Sequence, residues 1–266
     1  MKAARALVFV LLLGLVGCDV AEERVGSFQR TLEVSGTVDL DVRAAAGNIT
    51  VHTGNTGVVS ITARVRAHGS WLGMSAERKV QQIEAHPPIE QHGNTIHVGN
   101  DDREVNQNVV FEYDLTVPPE TELRATTGAG NQTIRGLYSR LEATSGAGNI
   151  TVDDVMGDVR VRTGAGNVEI SNARRGLVAE TGAGNIGAEG HPKRDWTIHT
   201  GVGNIQVRVP EKASFDVDAA CGFGRINMNH KFKMQGSTSL NHIRGTVGDG
   251  GPSVRLENGA GNIDID

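Results

Sequence analysis

Apolar and polar residues alternate along short stretches through most of the chain. In the stretches Ile150-Thr151-Val152 and Val168-Glu169-Ile170, every second residue is apolar. This period of two is typical of a β-strand with one buried face. The 3.6-residue period of a helix does not appear between residues 123 and 207. The pattern therefore predicts an all-β fold for the central part of the chain.

A five-residue glycine motif separates these strands and recurs at a nearly constant distance. It reads TGAGN, SGAGN or TGVGN in five central copies, whose second glycines follow one another at 18, 18, 18 and 19 residues. Related copies are AAAGN at 44–48, CGFGR at 221–225 and NGAGN at 258–262. A repeat of fixed length indicates stacked structural units. We expect the degenerate copies near each end to form capping coils.

When the copies are aligned, their apolar positions form two columns. The first contains Leu123, Leu141, Val159, Leu177 and Trp196, and the second contains Ala125, Ala143, Val161, Ala179 and Ile198. Coils stacked at the ~4.8 Å spacing of neighbouring strands would bury both columns. The sequence thus predicts a single-domain β-solenoid (a β-helix) with 18-residue coils. We expect it to be right-handed, because parallel crossovers generally have that hand.

The glycine motif supplies the corners of the predicted coils. Glycine permits positive φ and close approach between coils. The asparagine of the motif should form a structural column, with amides that donate to the carbonyl of the next coil or satisfy local backbone groups. Its members are Asn131, Asn149, Asn167, Asn185, Asn204 and Asn262. Ser145, Thr163, Thr181 and Thr200 can add hydroxyl contacts, and Gln132, at an apolar position, predicts a local bulge.

The outward positions of the predicted strands carry charges of alternating sign. Arg124, Glu142 and Arg160 form one such column, and Arg162 precedes Glu180 in another. Opposite charges on adjacent strands contribute roughly 0.2–1 kcal/mol each. This arrangement favours surface stabilisation over a catalytic cluster.

Two flanking regions interrupt the repeat. Residues 28–66 are predicted to form strands of the first coils. Residues 67–108 are predicted to be an insertion, with a helix at 75–85 that has Ser75 as its N-cap and a hairpin from Ile89 to Val98. The insertion could cover an open end or edge of the stack, or it could recognise a partner.

The N-terminus has the organisation of a bacterial secretory signal. A basic start is followed by an apolar stretch, 6–17, that is too short to span a bilayer and ends at Cys18. We therefore predict a lipoprotein signal peptide at 1–17, lipidation of Cys18, a linker at 18–27 and the solenoid domain at 28–266. An ordinary signal peptide with a chance cysteine is the alternative. Lipidation would attach the protein to a membrane of the bacterial cell envelope and leave Cys221 as a small buried residue.

Composition and motifs narrow the chemistry further. Glycine accounts for 35 of the 266 residues and aromatics for only 4 %, so the core must be mainly aliphatic. The net charge of −5 argues against nucleic acid as a partner. The corners lack the residues of a nucleotide-binding loop, have Asn where calcium-binding repeats have Asp, and no histidine pair has metal-site spacing. We expect no catalytic, cofactor or metal site.

Several longer segments resemble a known family. They are VSGTVDLDVRAAAGNITVHTG, FEYDLTVPPETELRATTGAGN, the central TGAGN repeats and the closing GTVGDGGPSVRLENGAGNIDI. Together they resemble the bacterial putative-adhesin family, a β-strand-repeat domain of unknown function. The resemblance covers about 28–266. It implies a β-helical fold and an envelope location, and it brings no catalytic residues.

Three functional hypotheses follow from these observations. The first is a non-enzymatic, lipid-anchored envelope protein whose solenoid surface binds an unknown protein or glycan. The second is an envelope-stress or regulatory protein that acts through a membrane partner. The third is a polysaccharide-acting β-helix enzyme, which would need a cluster of carboxylates or of Arg, Lys and Asp in one groove.

Overall fold

The computed structural model describes residues 23–69, 75–99, 108–229, 232–234, 239 and 241–266. Its strands form one sheet of eleven strands, called here the first sheet, and one of twelve, the second sheet. The predicted all-β class is confirmed, with 64 % of the described residues in strands and 5 % in a helix. The predicted signal peptide 1–17 and Cys18 lie outside the described residues.

The elements are numbered in chain order. They are β1 Glu23–Glu33, β2 Asp39–Ala46, β3 Ile49–Thr53, β4 Val58–His68, α1 Ala76–Ala85, β5 Ile89–His92, β6 Thr95–Val98, β7 Val109–Val117, β8 Glu122–Ala129, β9 Gln132–Arg135, β10 Leu141–Ala147, β11 Ile150–Asp153, β12 Val159–Ala165, β13 Val168–Ala173, β14 Leu177–Ala183, β15 Ile186–Gly190, β16 Trp196–Val202, β17 Ile205–Arg208, β18 Phe215–Phe223, β19 Ile226–Met228, β20 Phe232–Met234, β21 His242–Val247, β22 Ser253–Ala260 and β23 Ile263–Ile265.

The central coils have the predicted solenoid architecture. Each coil contributes one strand to the second sheet, turns at the glycine motif and contributes one strand to the first sheet. Neighbouring coils pair in parallel, so that Leu141 lies between Leu123 and Val159 in register. Both predicted apolar columns are buried between the sheets, with no member more than 3 % exposed. The apolar residues of the alternating pattern therefore face the core, and the polar residues between them face the solvent.

The N-terminal end contains one regular coil and an antiparallel extension. Strands β2 and β3 stack in parallel on β8 and β9 as predicted. Strand β4, in contrast, runs antiparallel to both β1 and β7. The interpretation of 28–66 as coils is therefore wrong for β1 and β4, because the turn at 54–57 reverses the chain where a coil corner would carry it onward. Strand β1 also begins at Glu23, inside the predicted linker, because it pairs with β4 along its whole length.

The predicted insertion extends this end of the stack. Helix α1 is capped by Ser75, whose Oγ accepts from the N–H of Arg78 at 3.4 Å, and it buries Val80 and Ile83. It packs on β1 and β4. Strand β6 pairs in parallel with β2, and β5 closes the hairpin outside it. The helix thus covers the first sheet, and the hairpin extends the edge of the second.

The C-terminal coils are stacked in a different order from the chain. The last coil, β22 and β23, lies between the coil of β16 and β17 and the coil of β18 and β19. Strand β21 then pairs antiparallel with the outer side of β18, and β20 pairs antiparallel with β21. The motif CGFGR is therefore at the end of the stack, whereas NGAGN, at the end of the chain, lies inside it.

The irregular segments at the two ends of the stack are each an insertion into a single 18-residue repeat. Asn48 and Asn131 stack as neighbours although they are 83 residues apart, and Asn204 and Asn262 do so at 58. Subtracting one period leaves 65 and 40 additional residues, which correspond to 54–118 and 211–250. The N-terminal excursion is thus longer than the predicted insertion at 67–108. The backbone closes its base with a hydrogen bond from Gly54 N–H to the Val117 carbonyl at 2.9 Å.

Candidate functional site

The asparagines of the glycine motif form a continuous ladder along one edge of the stack. Each Oδ1 accepts a hydrogen bond from the backbone N–H of the corresponding residue in the next coil, at 2.8–3.1 Å. The amide oxygen is the working group, whereas the sequence suggested an amide donor as one alternative. The order along the stack is Asn48, Asn131, Asn149, Asn167, Asn185, Asn204, Asn262 and Arg225, so the six predicted residues lie together.

A second ladder lies beside the first and is buried. The hydroxyls of Thr127, Ser145, Thr163 and Thr181 each donate to the carbonyl of the second glycine in the preceding coil, at 3.0–3.1 Å. At the same level near the C-terminal end, Asn258 Nδ2 donates to the Gly203 carbonyl at 2.8 Å. The polar side chains of this corner therefore form hydrogen bonds between neighbouring coils.

The second glycine of each motif is required by geometry. Gly148 has φ of 148°, and a Cβ at this position would lie 2.1 Å from the carbonyl oxygen of Gly130. Gly166 and Gly184 repeat the arrangement. No side chain fits at that separation, so the corner is a structural joint between coils.

Gln132 does not cause the predicted bulge. It pairs in register with Ile150 and is 1 % exposed. Its Nε2 donates to the Thr144 carbonyl at 2.7 Å, while Oε1 has no partner within the described part of the chain. A polar side chain can occupy this apolar column because it reaches a backbone carbonyl of the next coil.

The outward faces carry the predicted cross-strand pairs. Arg124 and Glu142 are 3.5 Å apart, and Arg162 and Glu180 are 3.1 Å apart. These pairs are half-exposed, so each contributes little to stability.

One depression on the second sheet is rich in carboxylates. It has a volume of about 170 Å³ and is lined by Asp39, Asp41, Glu122 and Glu142 together with His97 and three other residues. Asp41 is 2.9 Å from Arg43 and 3.7 Å from His97, so its charge is compensated. Within the described ranges, no group of three potential ligands is arranged to hold a metal ion.

Two larger depressions flank the corner opposite the asparagine ladder. The first, of about 520 Å³, includes Arg174, Glu189, Lys193 and Arg208 in its lining. The second, of about 560 Å³, includes Arg140, Asp158, Arg160, Arg194 and Asp195. Arg174 and Arg194 pair with Asp154 and Asp158 at 3.3 and 3.1 Å. We call this region the basic corner.

Sequence reasoning did not identify the basic corner. Its cations come from four coils and share no short motif. The available signal was the single 19-residue spacing, between Gly184 and Gly203, because the additional residue lies in the coil that carries Lys193 and Arg194.

Cys221 is buried at the C-terminal end of the stack and forms no disulfide. Burial raises the pKa of its thiol, which makes it less reactive at neutral pH. The described residues contain no helix with the length and apolarity needed to cross a membrane.

Comparisons with known proteins place the chain in a family. It is similar to a putative cell adhesion protein from Clostridium sporogenes (16 % identity, 91 % of this chain and 99 % of that chain covered, TM-score 0.40). It is also similar to putative adhesins from Parabacteroides distasonis (12 %, 91 % and 97 %, TM-score 0.42) and Bacteroides fragilis (12 %, 91 % and 97 %, TM-score 0.38). No curated protein matches. Residues 32–266 match the Toastrack DUF4097 family, and the chain therefore belongs to that family.

Proposed function

We propose that this protein is a non-enzymatic binding protein of the bacterial cell envelope, anchored by a lipid on Cys18, that presents the outer surface of its solenoid to a ligand. One observation carries the proposal. The polar groups that recur in every coil, the amide and hydroxyl ladders, are used to join coils. What differs between coils is the outward surface, which is where a repeat scaffold carries binding specificity.

The carboxylate-rich depression does not favour the polysaccharide-acting enzyme. Such an enzyme needs one carboxyl group held protonated beside another that is ionised. Here Asp41 is paired with Arg43, and Glu142 is paired with Arg124. Two of the four carboxylates in the depression are therefore engaged in surface ion pairs with arginine, as on the outward faces of the central coils.

The proposed anchor would hold the fold near the membrane. Strand β1 begins at Glu23, five residues after Cys18. Five residues span at most roughly 18 Å when fully extended. The end of β1 that pairs with His68 would therefore lie close to the lipid surface. Two or more acyl chains would make this attachment stable.

The anchor is tested by Cys18→Ala in the full-length chain. We expect wild-type protein in the membrane fraction, with an acylated Cys18 as its first residue by mass spectrometry. The variant should be unprocessed or in the soluble fraction. A mature wild-type protein that begins elsewhere and has no lipid would contradict the proposal.

The binding role is tested by screening the purified protein against glycans and envelope proteins. We expect saturable binding to at least one of them without any change in the ligand's covalent structure. Depolymerisation of a polysaccharide during the incubation would instead establish an enzyme. A screen with no binding to any ligand class would overturn the proposed function.

A further inference from the structure

We propose that the basic corner binds a linear anionic polysaccharide, with acidic sugars seated in its two depressions. This inference rests on the proposed binding function and names the ligand class and the place. The corner is formed by the turns after β9, β11, β13, β15 and β17 and by the strand ends beside them. It lies across the stack from the asparagine ladder. Arg174 and Arg194 form ion pairs between coils there, and the other four cations of the corner form none with the residues that the structure describes.

The basic corner is positive on a negative protein. The two depressions are lined by six arginine and lysine side chains and three carboxylates, a net charge of +3, whereas the whole chain has −5. Arg140, Arg160, Lys193 and Arg208 have no ion-pair partner within the described ranges. A cluster of unpaired cations of this kind attracts anions and speeds their encounter.

An irregularity in the backbone opens the first depression. The pairing of β13 with β15 shifts between Ile170 and Ala173, and Asn172 there has φ of 58°. The Ala173 carbonyl accepts from the His191 N–H at 2.9 Å, which fixes the following turn. A bulge re-aims side chains at the edge of a sheet. Here it leaves a recess in which cations from three successive coils converge.

The two depressions combine apolar floors with charged rims. Ala173 and Val209, both buried, line the first, and Val159 and Leu177, also buried, line the second. Because these apolar side chains are buried beneath the rim, a bound sugar ring would meet chiefly the charged groups above them. Its carboxylate would pair with the cations, and its hydroxyls would donate to Glu189 or Asp158. A uronic acid therefore has a partner for the cations of the rim, its carboxylate, and partners for the carboxylates of the rim, its hydroxyls.

The two depressions adjoin each other at this corner. Lys193 lines one of them, and the next residue, Arg194, lines the other. A linear polymer crossing this corner would meet cations on both sides. An anionic membrane is the less suitable partner. A bilayer surface cannot enter the recesses, and the carboxylates of the rim would repel it.

The test uses the full-length chain and polygalacturonate, a linear polymer of uronic acid, in isothermal titration calorimetry. The site variant is Lys193→Glu/Arg208→Glu. The control is Arg135→Glu/Arg225→Glu, which changes the net charge equally at two exposed arginines outside the basic corner. We expect wild type to bind with an affinity that falls with salt. The site variant should bind at least about tenfold more weakly, and the control within about twofold of wild type. Circular dichroism checks that both variants are folded.

Three results would overturn the inference. They are no binding of polygalacturonate, an equal loss in the control variant, and tighter binding of phosphatidylglycerol vesicles that is lost in the site variant. Neutral pullulan is the remaining probe. Equal binding of pullulan by both variants, without binding of polygalacturonate, would contradict the basic corner as the site but leave the proposed binding function in place.

Discussion

In each coil, the side-chain oxygen of one asparagine accepts a hydrogen bond from the backbone of the next coil. Asn167 shows the arrangement, because its Oδ1 accepts from Asn185 N–H and its own N–H donates to Asn149 Oδ1, both at 2.8 Å. A hydrogen bond of this kind contributes about 0.5–1.5 kcal/mol net. The column therefore stabilises the stack by many small, equal contributions. It also sets the register at the corner, where the strands themselves are interrupted.

Substitution of Asn167 distinguishes an acceptor from a donor. Asn167→Ala should lower the free energy of unfolding by about 1 kcal/mol, because the Asn185 N–H loses its partner. Asn167→Asp keeps an oxygen at the same place and should lose less than half as much. Urea unfolding of the two variants measures the difference. If aspartate is as destabilising as alanine, the amide NH₂ is the group that matters.

At the scale of the element, the unit of the fold is the 18-residue coil. Leu141, Val159 and Leu177 pair in one register, and so do Ile150, Val168 and Ile186 in the other sheet. Each central coil contacts chiefly its two neighbours. Stability is then close to a sum of coil and interface contributions.

Deletion of one coil should be tolerated, and deletion of half a coil should not. Removing 148–165 joins Ala147 to Gly166 and restores the motif with every column in register. The shortened protein should fold cooperatively with a reduced melting temperature. Removing only 148–156 leaves a strand without its corner and should prevent folding. Circular dichroism melts compare the two, and equal tolerance of both deletions would contradict the 18-residue unit.

The antiparallel edge formed by β18 and β21 depends on pH through Asp218. Burial raises the pKa of this carboxyl, but hydrogen bonds from Arg244 and His242 outweigh that effect and hold the pKa below its usual range. Because the folded carboxyl binds its proton more weakly than the unfolded one, the contribution is complete above the unfolded pKa of about 3.9. It is lost as the pH falls through the lower folded value.

Asp218→Asn should therefore destabilise the protein at neutral pH by about 0.5–1 kcal/mol. The difference from wild type should disappear at a pH below the folded pKa. Denaturant unfolding at both pH values measures it. Asp249→Asn at the same end is the control, and a similar loss there would show that removing any negative charge has this effect.

The sequence predicts the coils well because glycine spacing and period-two alternation have direct physical causes. It predicts less about strand direction, since alternation in 28–66 is the same for parallel and antiparallel pairing. Gln132 shows a further limit. Its polar side chain suggests a bulge, whereas its amide reaches the Thr144 carbonyl of a neighbouring coil. The basic corner was not predicted because Arg174, Lys193 and Arg208 converge only when three coils are stacked and β13 bulges.

At the scale of the whole molecule, two excursions from one regular stack form its ends. The first, 54–118, carries α1 and the β5–β6 hairpin, and the second, 211–250, carries β18 to β21. The first adds antiparallel strands at one end of both sheets, and the second adds them at the other end of the second sheet. Regular parallel coils would leave open edges there, which promote association with other chains. The two excursions therefore place strands of a different kind beyond the regular coils, where further coils would otherwise stack.

Two deletions test this organisation. Removing 211–250 joins Pro210 to Gly251 and returns the spacing of Gly203 and Gly261 to 18 residues. We expect this protein to fold, although with a more open end. Truncation after Gly250 removes fewer residues but takes away β22 and β23, on which β18 and β19 pair. It should unfold the whole C-terminal end, as hydrogen exchange would show. Protection of β18 in the truncated protein would contradict the observed stacking order.

The stacking order also determines when the molecule can be finished. A polypeptide emerges from the ribosome with its N-terminus first, so the residues of β18 and β19 are available before those of β22 and β23. Their place on the stack does not yet exist, because the strands they pair with have not been delivered. Residues 251–266 fill that gap, and only then do β18 and β19 become continuous with the rest of the stack. A chain released early would thus lack a closed end and remain open to proteolysis, so complete synthesis is a condition for a durable product.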